Sequence, residues 1–190
     1  MHTNTAHQKG FTLVETLVAI AILLLVLIGP MTIAQKGVQN ARHAREQMTA
    51  VFLGQEAIEG VRQIRDEYGL QVYDGSDSTL SASDWVAGAY ATCGSGCAFV
   101  LHSDTPLQSC SGASNCKLYI DSVTREYTHT EAGNYESPYT RTVTIGAPDA
   151  DHNLPVTVEV SWYGQIFKTT RSVILRTWIY DHYERYEDNT

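Results

Sequence analysis

Charge is the first thing missing from this sequence. Between Glu15 and Lys36 there is no charged residue, which excludes a solvated loop or an ordinary surface helix over that stretch. Basic residues are scarce throughout. Thirteen Lys and Arg stand against 21 Asp and Glu, for a formal charge of -8, so the chain lacks a surface built for non-specific nucleic-acid binding. Cysteine is absent outside the segment 93–116, where all four occur. No Walker loop, dinucleotide fingerprint, G-x-S-x-G or H-E-x-x-H is present, and the seven histidines are scattered. Cofactor-binding and catalytic residues are therefore expected to be none. With 190 residues, 43% of them hydrophobic, there is room for one domain plus an extension.

What is present begins with a polar leader, residues 1–10, containing one Lys and two His. Residues 11–28 follow, 18 positions of which only Thr12, Glu15 and Thr16 are polar. A helix of that length covers roughly 27 Å, close to a bilayer core. The alternative is a secretory signal peptide cleaved after Ala34, where Thr32 and Ala34 give a weak small-x-small site. Glu15 counts against it, because a carboxylate in an apolar segment costs about 3 kcal/mol on insertion and is rarely kept without a partner.

Beyond Pro30 the pattern turns amphipathic. Ala34, Val38, Ala41, Ala44, Met48, Val51, Ile58, Val61, Ile64 and Tyr68 recur at three- and four-residue steps, interrupted around Gly54 and Gln55. Lys36, Arg42, Arg45, Glu46, Glu56, Glu59, Arg62 and Arg65 occupy the other face. One helix is predicted over residues 11–68, on the order of 85 Å if unbroken. Pro30 removes one of its hydrogen bonds, and Gly37, Gly54 and Gly60 each cost about 1 kcal/mol relative to Ala. Those glycines are read as places of close packing, with a hinge as the alternative.

Residues 69–88 shift to Gly, Ser, Asp and Thr and read as a connecting loop. Strands are predicted at 98–102, 117–121, 124–130 and 139–145. The clearest is 156–162, where Val156, Val158, Val160 and Trp162 alternate with Thr157, Glu159 and Ser161. A turn at Tyr163-Gly164-Gln165 leads into a last strand, 166–180, whose Val173-Ile174-Leu175 predicts cover on both faces. The fold class that follows is α+β: a long amino-terminal helix, membrane-spanning in its first half, packed against an antiparallel sheet in a head domain. The divisions are 1–10 leader, 11–30 apolar helix, 31–68 amphipathic helix, 69–180 head and 181–190 acidic tail.

Lys9 and Gly10-Phe11-Thr12-Leu13-Val14-Glu15, followed by the apolar run, resemble the class III signal of type IV pilins and type II secretion pseudopilins. The likeness covers the amino-terminal third in detail. Residues 55–66 are also similar to the helix end of minor, pilin-like proteins. The resemblance implies that a prepilin peptidase cuts between Gly10 and Phe11 and methylates the new amino group of Phe11. It implies that Glu15, fifth in the mature chain, pairs with the amino-terminal charge of a neighbouring pilin subunit during filament assembly. The competing reading of Glu15 is that it complements the positive end of its own helix. Partners would be the peptidase, sister subunits and the inner membrane. The head would lie outside the cytoplasm, and later in an extracellular or periplasmic filament.

Two features depart from the family pattern. Its proline lies slightly further along than Pro30, so local melting of the helix is not carried over. Lys36, Arg42 and Arg45 follow the apolar run while only Lys9 precedes it, a bias that by itself favours the opposite orientation. The cleavage motif is the more specific signal.

Export favours disulfides among Cys93, Cys97, Cys110 and Cys116. Three pairings are open, with local pairing preferred and a four-cysteine zinc site as the alternative. Asp149, Asp151 and Asn153 have the opening spacing of a calcium loop, but Leu154 replaces the glycine and no Glu stands twelfth. Tyr119, Tyr127, Tyr135 and Tyr139 form either an adhesive surface or cross-strand packing. The reading is a minor pilin, a structural subunit without catalysis. A secretion pseudopilin and a non-polymerising membrane-anchored binding protein are the rivals.

Overall fold

The computed structural model describes residues 10, 12–73, 82–100, 103, 105–110, 116–164 and 168–180. The tail at 181–190 lies outside them. By internal contacts the chain divides into two units, Met1–Ala44 and Arg45–Thr190.

Helix α1 runs Leu13–Tyr73, 61 residues with Pro30 inside it. Thr12 starts it: its side-chain oxygen accepts the Glu15 amide at 3.3 Å and its carbonyl accepts the Thr16 amide, which satisfies two donors that a helix start leaves open. In the first unit every described residue is exposed except His43, which is partly covered.

In the second unit α1 lies on a seven-stranded antiparallel sheet. The strands are β1 (Cys97–Phe99), β2 (Leu107–Ser109), β3 (Lys117–Ile120), β4 (Tyr127–Thr128), β5 (Tyr135–Ile145), β6 (Leu154–Gly164) and β7 (Thr169–Ile179). β5 organises them. One of its edges pairs with β6 from Tyr139↔Trp162 to Ile145↔Val156; the other is shared by β3 and β1. β6 and β7 form a hairpin of eleven unbroken pairs. The alternation at 156–162 extends over all of β6, where Leu154, Val156, Val158, Val160 and Trp162 are buried. They meet Ala50, Leu53, Ala57, Ile58 and Val61 of α1 in the main core.

Three sequence expectations fail here. The stretch 69–88 is not one loop: α1 continues to Tyr73, and a second helix, α2, spans Ala82–Cys93. Trp85, Val86, Ala89 and Cys93 are its buried face, and its alanines favour helix despite the surrounding Ser, Asp and Gly. β7 is not covered on both sides: one face packs on the core and the other meets solvent. Ile174 is 46% exposed, while Val173 and Leu175 are half-buried against the core. Met48, assigned by its spacing to the apolar face, is turned outward and exposed.

Two of the glycines do mark close packing. A Cβ on Gly60 would enter the Phe99 ring, and one on Gly54 would strike Leu175, whereas nothing lies near Gly37. Helix and sheet approach most closely where the side chain is absent.

Candidate functional site

The amino-terminal segment is the first candidate. Gly10 is exposed; Lys9 and Phe11 fall outside the described residues. Glu15 sits in the first turn of α1, exposed, and forms no ion pair among the described residues. Around and beyond it Leu13, Val14, Leu17, Val18, Ile20 and Ile22 through Ile28 are exposed on every side of the helix. The most apolar 18-residue window has a mean hydropathy of 2.8 with none of it buried. Each Leu or Ile left in water forgoes about 1.5–3 kcal/mol. Such a helix requires a bilayer or other helices around it, and it is long and apolar enough to cross a membrane.

The head contains a polar cluster that sequence reading missed. Arg141 on β5 is 1% exposed. Its Nη1 donates to the Leu53 carbonyl at 3.2 Å and lies 3.2 Å from Glu56 Oε2, its Nη2 donates to the Phe99 carbonyl at 2.9 Å, and the guanidinium stands over the Phe99 ring. Burial pushes its pKa down and the Glu56 carboxylate opposes that. Strand parity could have found it, since Arg141 shares a face with Tyr139, Val143 and Ile145. One cation thus ties α1, β1 and β5 together.

One of the scattered histidines, His129, follows β4. It is half-buried, with Nδ1 3.0 Å from the Lys117 carbonyl. Burial, aided by the charge of Arg141, pushes its pKa down to about 4, against hydrogen bonding to the Lys117 and Phe99 carbonyls. In an unfolded chain the imidazole titrates near 6.5, so between these values the unfolded state holds the extra proton. Stability should be complete above about pH 6.5 and fall by about 3 kcal/mol as the pH drops toward 4. Unfolding midpoints measured across that window should show the fall, and His129→Gln should flatten it.

The remaining candidates are structural. Cys93 pairs with Cys97 and Cys110 with Cys116; the first pair closes a turn in which the Gly96 amide donates to the Cys93 carbonyl and Gly96 takes a φ of +102°. The zinc alternative is thereby excluded in this structure. Asp149 uses its carboxylate to accept the Asp151 and Asn153 amides and the Asn153 side chain. It caps its own turn, and among the described residues no three His, Cys, Asp or Glu side chains converge as metal ligands. Tyr127 packs edge-on to Tyr139, which packs against Trp162. Tyr119 is buried, and Tyr135 alone of the four is fully outward, beneath Arg125. Two clefts of about 180 and 220 Å³ flank Phe99 and Val100, below the usual volume of a small-molecule site.

Fold and site therefore define an α+β protein with an exposed apolar helix that carries one acid near its start. A family model described as the prokaryotic N-terminal methylation motif matches residues 5–29. That motif supports a class III signal of the type IV pilin-like kind at the amino terminus. No curated protein and no solved structure matches the chain significantly.

Proposed function

We propose that this chain is a minor pilin, a non-catalytic subunit of a type IV pilus-like filament. A prepilin peptidase cuts between Gly10 and Phe11 and methylates Phe11. The head stays outside the cytoplasm while the helix is held in the inner membrane, and the helix then leaves the bilayer to pack among sister helices.

The observation that carries this reading is Glu15, an exposed carboxylate in the first turn of α1 with no other charge along the apolar run that follows it until Lys36. In low dielectric that charge needs a counter-charge. A free amino group at Phe11, four residues earlier, is created only by cleavage, and a neighbouring copy can bring it to Glu15. The disulfides agree with a head in an oxidising compartment.

Mass spectrometry of the membrane-extracted protein should find a chain beginning at methylated Phe11, and Gly10→Val should leave the precursor uncut. Cleavage after Ala34 would identify a secretory signal instead and sink the proposal.

A further inference from the structure

The three long strands turn one face to α1 and α2, whose buried residues share the core with Val143, Val156, Val158 and Val160. Side chains alternate along a strand, so the intervening residues of β5, β6 and β7 form an opposite, outer face. Three large side chains stand exposed on it: Trp178 at 47%, Ile174 at 46% and Tyr163 at 48%. Trp178 pairs with Pro155, Ile174 pairs with Glu159, and Tyr163 lies four positions further along β6. Equal four-residue steps set the three about 14 Å apart along the strands. The first stands in a low apolar row, because Gly146 has no side chain where a Cβ would strike the Pro155 ring.

Two rows of hydroxyls fill the intervals. Thr144 and Thr157 pair across β5 and β6, with Arg176 next in line on β7; Thr140 and Ser161 pair in the same way, with Ser172 beyond. Among the described residues no hydrogen bond or ion pair engages these side chains or that of Glu159.

We propose that this face binds a neutral polysaccharide laid along the strands from Trp178 to Tyr163. A sugar ring offers C–H groups on its faces, which stack on an indole or phenol ring, and hydroxyls at its rim, which pair with Thr and Ser. A chain of such rings alternates the two chemistries, as the surface does. Two steps of about 14 Å make a footprint longer than any single sugar.

Charge and desolvation select this occupant. Between Trp178 and Tyr163 the face carries one acid, Glu159, and one base, Arg176, in a chain of formal charge -8. An acidic polymer would meet a single cation there. The apolar surface of another protein would bury the hydroxyls unpaired, which opposes binding, whereas a polyhydroxyl chain brings each a partner. The proposal holds whether or not the chain polymerises.

The full-length chain, in a detergent without a sugar head group, should be retained on at least one of three insoluble neutral polysaccharides: chitin, cellulose and starch. Trp178→Ala should lower the retained fraction about tenfold. Tyr163→Ala should lower it as well, and Trp178→Tyr should keep most of it. Val123→Ala, at an 87% exposed position outside the face, should change nothing. Trp85 and Trp162 are buried, so acrylamide quenching of the folded chain reports Trp178, and soluble fragments of the retained polymer should protect it. If Trp178→Ala fails to fold, that protection in the unaltered chain decides. Retention on none of the three overturns the proposal, as does wild-type retention of both alanine variants. Retention on dextran sulfate alone would identify an acidic polymer, and dissociation of a wild-type dimer by Trp178→Ala would identify a contact between copies; either result also overturns it.

Discussion

Glu15→Ala should leave cleavage at Gly10 and methylation of Phe11 intact, yet remove the chain from filaments. In the proposed pilin reading, cleavage depends on the Gly10-Phe11 junction, which the substitution does not touch. In that reading, assembly would transfer the helix from lipid to a bundle of sister helices, where the new amino group is stranded unless a carboxylate meets it. Removing one partner of a buried pair costs about 3–5 kcal/mol, and at 1.4 kcal/mol per decade that is a hundredfold or more in incorporation. Glu15→Gln should fail to the same extent, because the charge and not the shape is required, while Glu15→Asp should retain part of the yield. Immunogold counts of sheared filaments, normalised to membrane-bound mature chain, measure this directly. Normal incorporation of Glu15→Ala would show that the carboxylate only complements its own helix terminus, a contribution of at most about 1 kcal/mol when exposed. A protein whose surface function survives the change without polymerising would be a plain anchor.

The second large effect concerns the head. Glu56→Ala should destabilise it by about 3–5 kcal/mol, because Arg141 would keep its charge at 1% exposure without its carboxylate. Arg141→Met should cost less than Glu56→Ala. The Glu56 side chain retains 32% of its surface and can turn to water, and the Leu53 and Phe99 carbonyls lose only one donor each. The pair Glu56→Leu with Arg141→Met should recover much of the loss, since apolar replacement of a buried ion pair is often neutral. Denaturant unfolding of the detergent-solubilised chain, followed by tryptophan fluorescence, gives the four corners of this cycle. Additive losses would mean that Arg141 is held by the carbonyls and the Phe99 ring and not by Glu56.

The interior of β5 shows why the sheet was easier to read than the cluster inside it. Period-two alternation exposes a strand and its buried face from local sequence, and β6 met that expectation from Leu154 to Gly164. Arg141 obeys the same parity, but a charged residue on an apolar face looks like a break in the pattern until Glu56, 85 positions earlier, is brought against it. α2 was missed because its buried positions, Trp85, Val86, Ala89 and Cys93, are set among Gly, Ser and Asp that read locally as a loop. β7 was misread because three consecutive apolar residues cannot tell a strand covered on both faces from one covered on a single face; packing of Val173 and Leu175 on the core, with Ile174 exposed, decides that.

The sequence by itself determined the amino-terminal helix, its uncharged apolar run and the methylation motif ahead of it, because hydropathy and a short motif are recognised over consecutive residues. Tertiary structure alone decided that Cys93 joins Cys97 and Cys110 joins Cys116, that Arg141 is buried and His129 held neutral, and that Met48 and Phe52 face away from the sheet. Each of these depends on which distant segment arrives opposite a side chain, and helical or strand period fixes only the side of the element on which that side chain stands.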